Sequence, residues 1–140
     1  MQPLTTNLES NPAECHHRCF ACGNNRVGLQ LQFALDGKAG VVAEWKCSED
    51  YSSYPGIIHG GIVATLLNAA MTNCLLLRGV SAVTAELNIR YRAPLRVGGC
   101  ATVRASIVRA RPPMYILSAE AVQDGGIVAI ASGKFMMAER

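Results

Sequence analysis

The residues best suited to chemistry stand where a long apolar stretch opens. The tripeptide His59-Gly60-Gly61 directly precedes Ile62–Leu77, which contains no charged residue and no proline. If that stretch is a helix beginning at the glycines, the N–H groups of Gly60 and Gly61 lack intrahelical partners and lie at the positive end of the helix dipole. Such groups stabilise the oxyanion that develops on a carbonyl under attack. In the competing interpretation the glycines allow close packing of the loop, and His59 makes a capping or core hydrogen bond.

A second group of chemically versatile residues lies near the N-terminus. Cys19 and Cys22 form a CxxC pair, and Cys15 with His16 or His17 could complete four ligands for tetrahedral zinc. Structural zinc sites usually draw on two separated pairs, whereas the other cysteines stand singly, at Cys47, Cys74 and Cys100. We therefore expect no metal and no cofactor, with the cysteines packing as small apolar side chains. Zinc at Cys15, His17, Cys19 and Cys22 is the alternative.

The apolar stretch predicts one long buried helix between about Ile57 and Gly79. Gly79 suits the left-handed residue that ends a helix, and a helix that is apolar nearly all round must be enclosed by the fold. The stretch is shorter than the roughly 20 apolar residues that a membrane span requires. Polar side chains also interrupt it, at Thr65, Asn68, Thr72 and Asn73. We therefore expect no membrane partner.

Alternation of apolar and polar residues predicts strands on both sides of this helix. Before it, residues 29–35 alternate, Asp36-Gly37 indicates a hairpin turn and Gly40–Cys47 returns as the partner strand. After it we expect four consecutive strands with short, hairpin-like connections, at residues 83–90, 100–111, 114–123 and 127–137. Short connections indicate a mostly antiparallel sheet. The pattern predicts an α+β hotdog fold, in which an antiparallel sheet of about six strands wraps around one long buried helix.

Length and composition limit the classes of protein to be considered. The 140 residues, half of them apolar, suffice for one core, and we expect an N-terminal arm at residues 1–14 and a single domain at residues 15–140. The net charge of +3 is mild and no basic block occurs, which excludes the usual nucleic-acid footprint. The N-terminus lacks the pattern of a secretion signal, so we expect reduced thiols and a cytoplasmic location.

Three motifs occur in a fixed order along the chain. They are Cys19-Phe20-Ala21-Cys22-Gly23 with Gly28-Leu29, then His59-Gly60-Gly61, then Thr84-Ala85-Glu86-Leu87-Asn88 with Pro94. This combination resembles the hotdog-fold acyl-CoA thioesterases of the PaaI-like group, over nearly the whole chain from Cys19 onward. The resemblance implies hydrolysis of acyl-CoA thioesters to free acid and CoA. It places the thioester carbonyl at the N–H groups of Gly60 and Gly61, with His59 flanking and orienting the site.

The same resemblance implies an acidic residue nine positions after the motif histidine, which serves as a nucleophile or as general base for water. This chain has Asn68 there, and an amide can neither attack as a carboxylate nor accept a proton from water. Three accounts follow. The chain is a natural member with no catalysis or altered chemistry, another residue such as Glu86 supplies the base, or Asn68 is an engineered replacement that traps substrate.

Further site residues are implied in the same way. Thr84 matches a Ser or Thr near the attacking water, and Ser53 matches a polar loop residue close to the thioester. Thr84, Glu86 and Asn88 are expected on one strand face, so Glu86 can also point toward the site, although an exposed or salt-bridged carboxylate is the simpler interpretation. The phosphates of CoA would suit the arginines that cluster late in the chain, at Arg90, Arg92, Arg109 and Arg111.

Helix geometry adds one constraint. Asn68 lies eight residues beyond Gly60, about 12 Å along the helix axis, so one helix cannot present both groups to the same carbon. We therefore expect Gly60 of one subunit to act with Asn68 of another, in a homodimer or a dimer of dimers. The alternatives are a protein that holds acyl-CoA without turnover and a zinc-stabilised module whose Cys15–Cys22 segment mediates interaction.

Overall fold

The computed structural model describes residues 16–138, so the arm expected at residues 1–14 and the candidate ligand Cys15 lie outside the described part. One α-helix and six strands make up the fold, with a short 3-10 turn at Glu49–Tyr51. The elements in order are β1 (Ala34–Asp36), β2 (Gly40–Lys46), α1 (Gly60–Leu76), β3 (Ala82–Tyr91), β4 (Cys100–Arg111), β5 (Met114–Gln123) and β6 (Gly126–Met137).

The six strands form one antiparallel sheet in the order β1-β2-β4-β5-β6-β3. The sheet wraps around α1, and the largest fully buried side chains come from both, including Leu66, Leu67 and Met71 of the helix and Leu117 and Phe135 of the sheet. The expected hotdog fold is confirmed.

The expectation that all four late strands follow one another as neighbours is wrong in one place. β3 pairs with β6, whereas β4 pairs with β2 and β5. The connection between β3 and β4 pairs instead with the loop before α1. Ile58 N donates to Leu95 O at 2.8 Å, and Ile57 forms an isolated β-bridge with Arg96. The connection therefore crosses the mouth of the helix, and β3 becomes an edge strand.

The predicted strand at residues 29–35 is mostly absent, since β1 contains only Ala34–Asp36. Leu29 N and Leu31 N donate instead to Phe20 O and Ala21 O, at 2.7 and 2.9 Å. Leu29 and Leu31 are nevertheless buried, as the alternation predicted. The period of two therefore located the buried Leu29 and Leu31 but was wrong for Leu35, which is 59% exposed, and the backbone hydrogen bonds go to the preceding turn.

Helix α1 is buried on most of its surface but not all round. Thr65, Asn68 and Thr72 recur at helical spacing and stay half-buried, so one polar stripe is left uncovered by the sheet. Gly79 has a φ of +83°, and the helix ends before it as predicted. Within residues 16–138, no helix is both long and apolar enough to cross a membrane.

The end of α1 is fastened to the β1–β2 hairpin by Arg78. Its guanidinium donates to Cys74 O at the helix end and to Gly40 O in the hairpin, each at 3.0 Å, and to Lys38 O and Gly37 O at 3.3 and 3.4 Å. The carbonyls that a helix leaves unpaired at its C-terminus are satisfied by such cations. Arg78 thereby fixes the helix relative to the sheet.

We predict that Arg78→Met lowers the free energy of unfolding by about 1.5–3 kcal/mol, because four carbonyls lose a charged donor. Urea unfolding of this variant measures the loss. Arg104→Met is the matched control, because Arg104 has only a half-exposed ion pair with Asp36 at 3.8 Å and should cost no more than about 1 kcal/mol. Equal losses for the two variants would contradict the role of Arg78.

Candidate active site

The entry of helix α1 is organised by the His59 side chain. His59 is the N-cap residue, and its Nδ1 accepts a hydrogen bond from Gly61 N at 2.8 Å. An imidazole that accepts at Nδ1 carries its proton on Nε2 in the neutral form. A Cβ at position 61 would lie 3.0 Å from Nδ1, so the glycine makes room for the ring. The Gly61 N–H is therefore used for capping. For His59 and Gly61 this is the capping interpretation that competes with an oxyanion site.

Gly60 differs from Gly61 in both respects. Its N–H has no hydrogen-bond partner within residues 16–138, and a Cβ there would make only ordinary contact, at 3.7 Å, with the Tyr91 ring. Tyr91 donates its hydroxyl to Gly60 O at 2.6 Å. Among these residues the Gly60 N–H is therefore unpaired, at the positive end of the helix dipole, and the Tyr91 hydroxyl holds Gly60 in place.

The Gly60 residue borders a cavity of about 430 Å³, a volume typical of small-molecule sites. We call it the helix-entry cleft, and its lining includes Ser53, Ile57, Gly60, Tyr91 and Arg92. The structure thus brings the predicted residues Ser53, Gly60 and Arg92 together. The sequence patterns did not predict Tyr91 as a site residue. Strand periodicity places its ring on the helix side of β3 but does not show that its hydroxyl reaches Gly60.

A second arrangement links the helix to the edge strand. Thr84 Oγ1 donates to Asn68 Oδ1 at 2.8 Å, and we call these residues the Asn68–Thr84 pair. The bond fixes the amide, leaving one lone pair of Oδ1 and the two hydrogens of Nδ2 for a ligand. The pair can orient a water molecule but cannot remove its proton.

A β-bulge at Ala85 separates Thr84 from Glu86. Thr84 opposes Phe135 and Glu86 opposes Lys134, which are adjacent in β6. The extra residue reverses the alternation, so Leu87 and Ile89 face the core and Glu86 and Asn88 face outward. The expectation that Thr84, Glu86 and Asn88 share one face is therefore wrong. Glu86 instead pairs with Lys134 at 3.9 Å and accepts from Asn88 at 3.5 Å.

The four candidate arginines do not form one cluster. Arg92 lines the helix-entry cleft, whereas Arg90 alternates with Ile89 and Tyr91 on the outer side of β3. Arg109 and Arg111 lie on β4, and β5 and β6 separate that strand from β3 by about 14 Å in total. All four are exposed. Arg92 is the one that the fold places beside Gly60.

The cleft and the Asn68–Thr84 pair are separate within one chain. Asn68 lies eight residues after Gly60 in α1, a rise of about 12 Å along the helix axis. The pair lies beside β3, an edge strand of ten residues with Val83 and Tyr91 about half exposed. The half-buried polar stripe of α1 and this strand edge therefore lie on the same side of the domain as the Asn68–Thr84 pair.

The N-terminal cysteines form a group apart from these features. The ligand atoms of His16, Cys19 and Cys22 lie within 4.8 Å of one another, and this group contains His16 rather than the exposed His17. Burial raises the pKa of the Cys22 thiol to about 11, with Cys19 adding to the effect, and burial lowers the pKa of His16. Burial likewise raises the pKa of Cys47, to about 11, and of Cys74.

Comparison with known proteins supplies the family. Residues 55–130, more than half of the chain, match the sequence profile of the thioesterase superfamily. The chain belongs to the thioesterase superfamily. It is 29% identical to human acyl-coenzyme A thioesterase 13 over 108 residues, which covers 76% of each protein.

Solved structures agree with this membership. A point mutant of the phenylacetic acid degradation protein PaaI from Thermus thermophilus aligns with a TM-score of 0.71 at 25% identity, covering 78% of this chain and 94% of that one. The protein smu.793 from Streptococcus mutans, bound to acetyl CoA, gives 0.74 at 19% identity over 84% and 95%. Another thioesterase superfamily protein gives 0.79 at 20% identity, with 86% of this chain covering 63% of it. The chain is therefore PaaI-like in fold.

We predict opposite responses to alanine at the two glycines. Gly61→Ala pushes the His59 ring away from its capping position and should lower the free energy of unfolding by about 1 kcal/mol. Gly60→Ala, the matched control, has room for its methyl group and should leave stability within about 0.5 kcal/mol or raise it slightly. Denaturant unfolding compares the two, and equal losses would show that His59 does not depend on the space at position 61.

Proposed function

We propose that this protein hydrolyses acyl-CoA thioesters to free acid and CoA, at a site shared between two copies of the chain. The observation that carries the proposal is the Gly60 N–H, which has no hydrogen-bond partner within residues 16–138, and Gly60 lines the helix-entry cleft of a chain that belongs to the thioesterase superfamily. Acyl-coenzyme A thioesterase 13 and the acetyl-CoA complex of smu.793 support acyl-CoA as the substrate class.

The first part of the reaction takes place at the helix entry. The thioester carbonyl accepts a hydrogen bond from Gly60 N–H, and the helix dipole adds to the stabilisation of negative charge on that oxygen. Tyr91 keeps the Gly60 residue in place through its 2.6 Å hydrogen bond. His59 secures the first turn by capping Gly61, and Ser53 and Arg92 line the approach, with Arg92 suited to a phosphate of CoA.

The attacking water is held by the Asn68–Thr84 pair of the other copy. Oδ1 of Asn68 accepts from Thr84 and has a second lone pair for the water. The amide orients the water without taking its proton, so acceleration depends on positioning and on the stabilised oxyanion. We therefore expect slow turnover compared with that of an enzyme with a carboxylate at this position.

A homodimer, or a dimer of dimers, follows from the helix geometry. Gly60 and Asn68 of one chain are about 12 Å apart along the axis, whereas antiparallel helices of two copies can place one residue of each beside a single carbon. The exposed β3 edge and the half-buried stripe of Thr65, Asn68 and Thr72 are the surface on which we place the second copy. We further propose that the protein works in the cytoplasm.

One observation favours a second candidate function. Asn68 stands where hydrolysis would benefit from a base, and its amide, which accepts a hydrogen bond from Thr84, cannot act as one. A site that binds the carbonyl and excludes proton transfer is suited to holding acyl-CoA without turnover. Binding with no hydrolysis by the unaltered chain, together with hydrolysis by Asn68→Asp, would identify this function.

Asn68→Asp provides the test of the chemistry. A carboxylate has nearly the same shape, keeps an acceptor for Thr84 and adds a base, so we predict a rise in kcat/KM of at least about tenfold. The measurement is release of the CoA thiol from a panel of aliphatic and aromatic acyl-CoAs. Thr84→Val should reduce the rate in both backgrounds, and Thr84→Ser, which keeps the hydroxyl, should not. No hydrolysis by either form and no gain in Asn68→Asp would refute the enzyme proposal.

Gly60→Pro tests the oxyanion donor. Gly60 is the first helical residue, where proline is tolerated, and His59 before it has φ −55° and ψ 134°, which a following proline accepts. The substitution removes the N–H with the helix retained, so kcat should fall about 100-fold or more. Circular dichroism checks the fold and Gly60→Ala controls for added bulk. Turnover of Gly60→Pro equal to that of Gly60→Ala would refute the assignment.

A further inference from the structure

The segment from His16 to Leu31 turns back on itself and is held by backbone hydrogen bonds between its own residues. Cys19 N donates to His16 O at 3.0 Å, Gly23 N to Cys19 O at 2.8 Å, and Leu29 N returns to Phe20 O at 2.7 Å. A Cβ at Gly23 would collide with the backbone of Cys19 and His16, and one at Gly28 would collide with Phe20 O. Close backbone approach therefore explains both glycines of the motif.

The same packing does not explain the three side chains that converge inside the turn. Cys19 Sγ accepts a 3.4 Å hydrogen bond from Ala21 N, and Cys22 Sγ lies 3.6 Å from His16 Nδ1. Cys22 also interacts with the side chains of Cys19 and Asn73. All three residues are half-buried, and Cys19 and Cys22 pack against the core. Small apolar side chains at these positions would serve the turn equally well. The combination of two thiols and one imidazole therefore indicates a ligand.

The distances fit a tetrahedral metal ion. Zinc bonds of about 2.3 Å to sulfur and 2.05 Å to nitrogen at the tetrahedral angle place those two atoms about 3.6 Å apart. Cys22 Sγ and His16 Nδ1 lie 3.6 Å apart. The three ligand atoms lie within 4.8 Å of one another, and zinc places two thiolates about 3.8 Å apart and a thiolate and an imidazole nitrogen about 3.6 Å apart, so no pair needs to move closer by more than about 1.2 Å.

We propose that His16, Cys19 and Cys22 bind one zinc ion, which holds the N-terminal turn closed against the body of the domain. The ligand set of two sulfurs and one nitrogen selects zinc or a similar borderline-soft divalent ion over magnesium or calcium. The fourth position of the tetrahedron is taken by a solvent molecule.

The site is structural and distinct from the candidate active site. A cavity of about 320 Å³ borders His16 and Cys22 and reaches Asn73 and Leu76 at the far end of α1. A metal ion bound by the three ligands closes the loop between His16 and Cys22. It thereby supports the buried residues Leu29 and Leu31, whose backbone N–H groups are hydrogen-bonded to the turn. The ion would therefore stabilise the fold without entering the reaction.

Metal binding by the full, untagged chain tests the proposal. Protein prepared under reducing conditions should contain about one zinc per chain by elemental analysis. After metal removal, titration with Co²⁺ should give thiolate charge-transfer absorption and the visible bands of tetrahedral cobalt, which added Zn²⁺ abolishes. Zinc should also raise the midpoint of thermal unfolding. A metal-free chain whose Co²⁺ spectrum shows no thiolate band would overturn the proposal without any variant.

Substitutions identify the ligands. Cys22→Ser and His16→Ala should weaken zinc binding more than about tenfold and remove the tetrahedral cobalt spectrum. Cys100→Ser and His17→Ala are the matched controls, since each changes an exposed residue of the same type outside the cluster. Loss of metal in the controls as large as in Cys22→Ser and His16→Ala would overturn the assignment, and retention in the controls alone would support it.

Discussion

The rise of helix α1 is the constraint on which the proposed site depends. Eight residues separate the free Gly60 N–H from Asn68, and a helix cannot bring groups about 12 Å apart onto one carbon. The sheet wraps around most of α1 but leaves a half-buried polar stripe, which contains Asn68. The strand beside that stripe, β3, is an edge with unpaired backbone groups. Separation, exposure and edge position together favour a site that two copies complete.

The two glycines at the helix entry have different roles, although their residue type is the same. The imidazole of His59 occupies the space that Gly61 leaves and also takes its N–H, whereas Gly60 keeps its N–H free and its carbonyl bonded to Tyr91. At the other part of the site, Thr84 binds an amide oxygen in the way that it would bind a carboxylate oxygen. In the proposed site, the difference from the acidic residue that the family resemblance implies is therefore confined to the side-chain group of Asn68.

Much of the fold could be predicted from sequence because helical and strand periods report burial directly. The helix, its end before Gly79 and the strands after it followed from apolar patterning and from glycine and proline positions. The partners of backbone groups could not be predicted in the same way: residues 29–33 alternate like a strand but bond to a turn, and β3 pairs with β6. The bulge at Ala85 leaves no mark in the pattern, yet it turns Glu86 away from Thr84. The Tyr91 hydroxyl and the His16 contact likewise depend on tertiary distances.

Subunit complementation tests the shared site most directly. Chains carrying Gly60→Pro and chains carrying Asn68→Ala are each defective in both sites of their own homodimers, whereas a mixed dimer contains one site with an unaltered Gly60 and an unaltered Asn68. Co-expression with two tags isolates the mixed species, and its hydrolysis of acyl-CoA is compared with that of either parent. We predict recovery of about half of the activity per dimer of the unaltered protein, since one of two sites is restored. Activity no higher than that of the parents would contradict a site built from two chains.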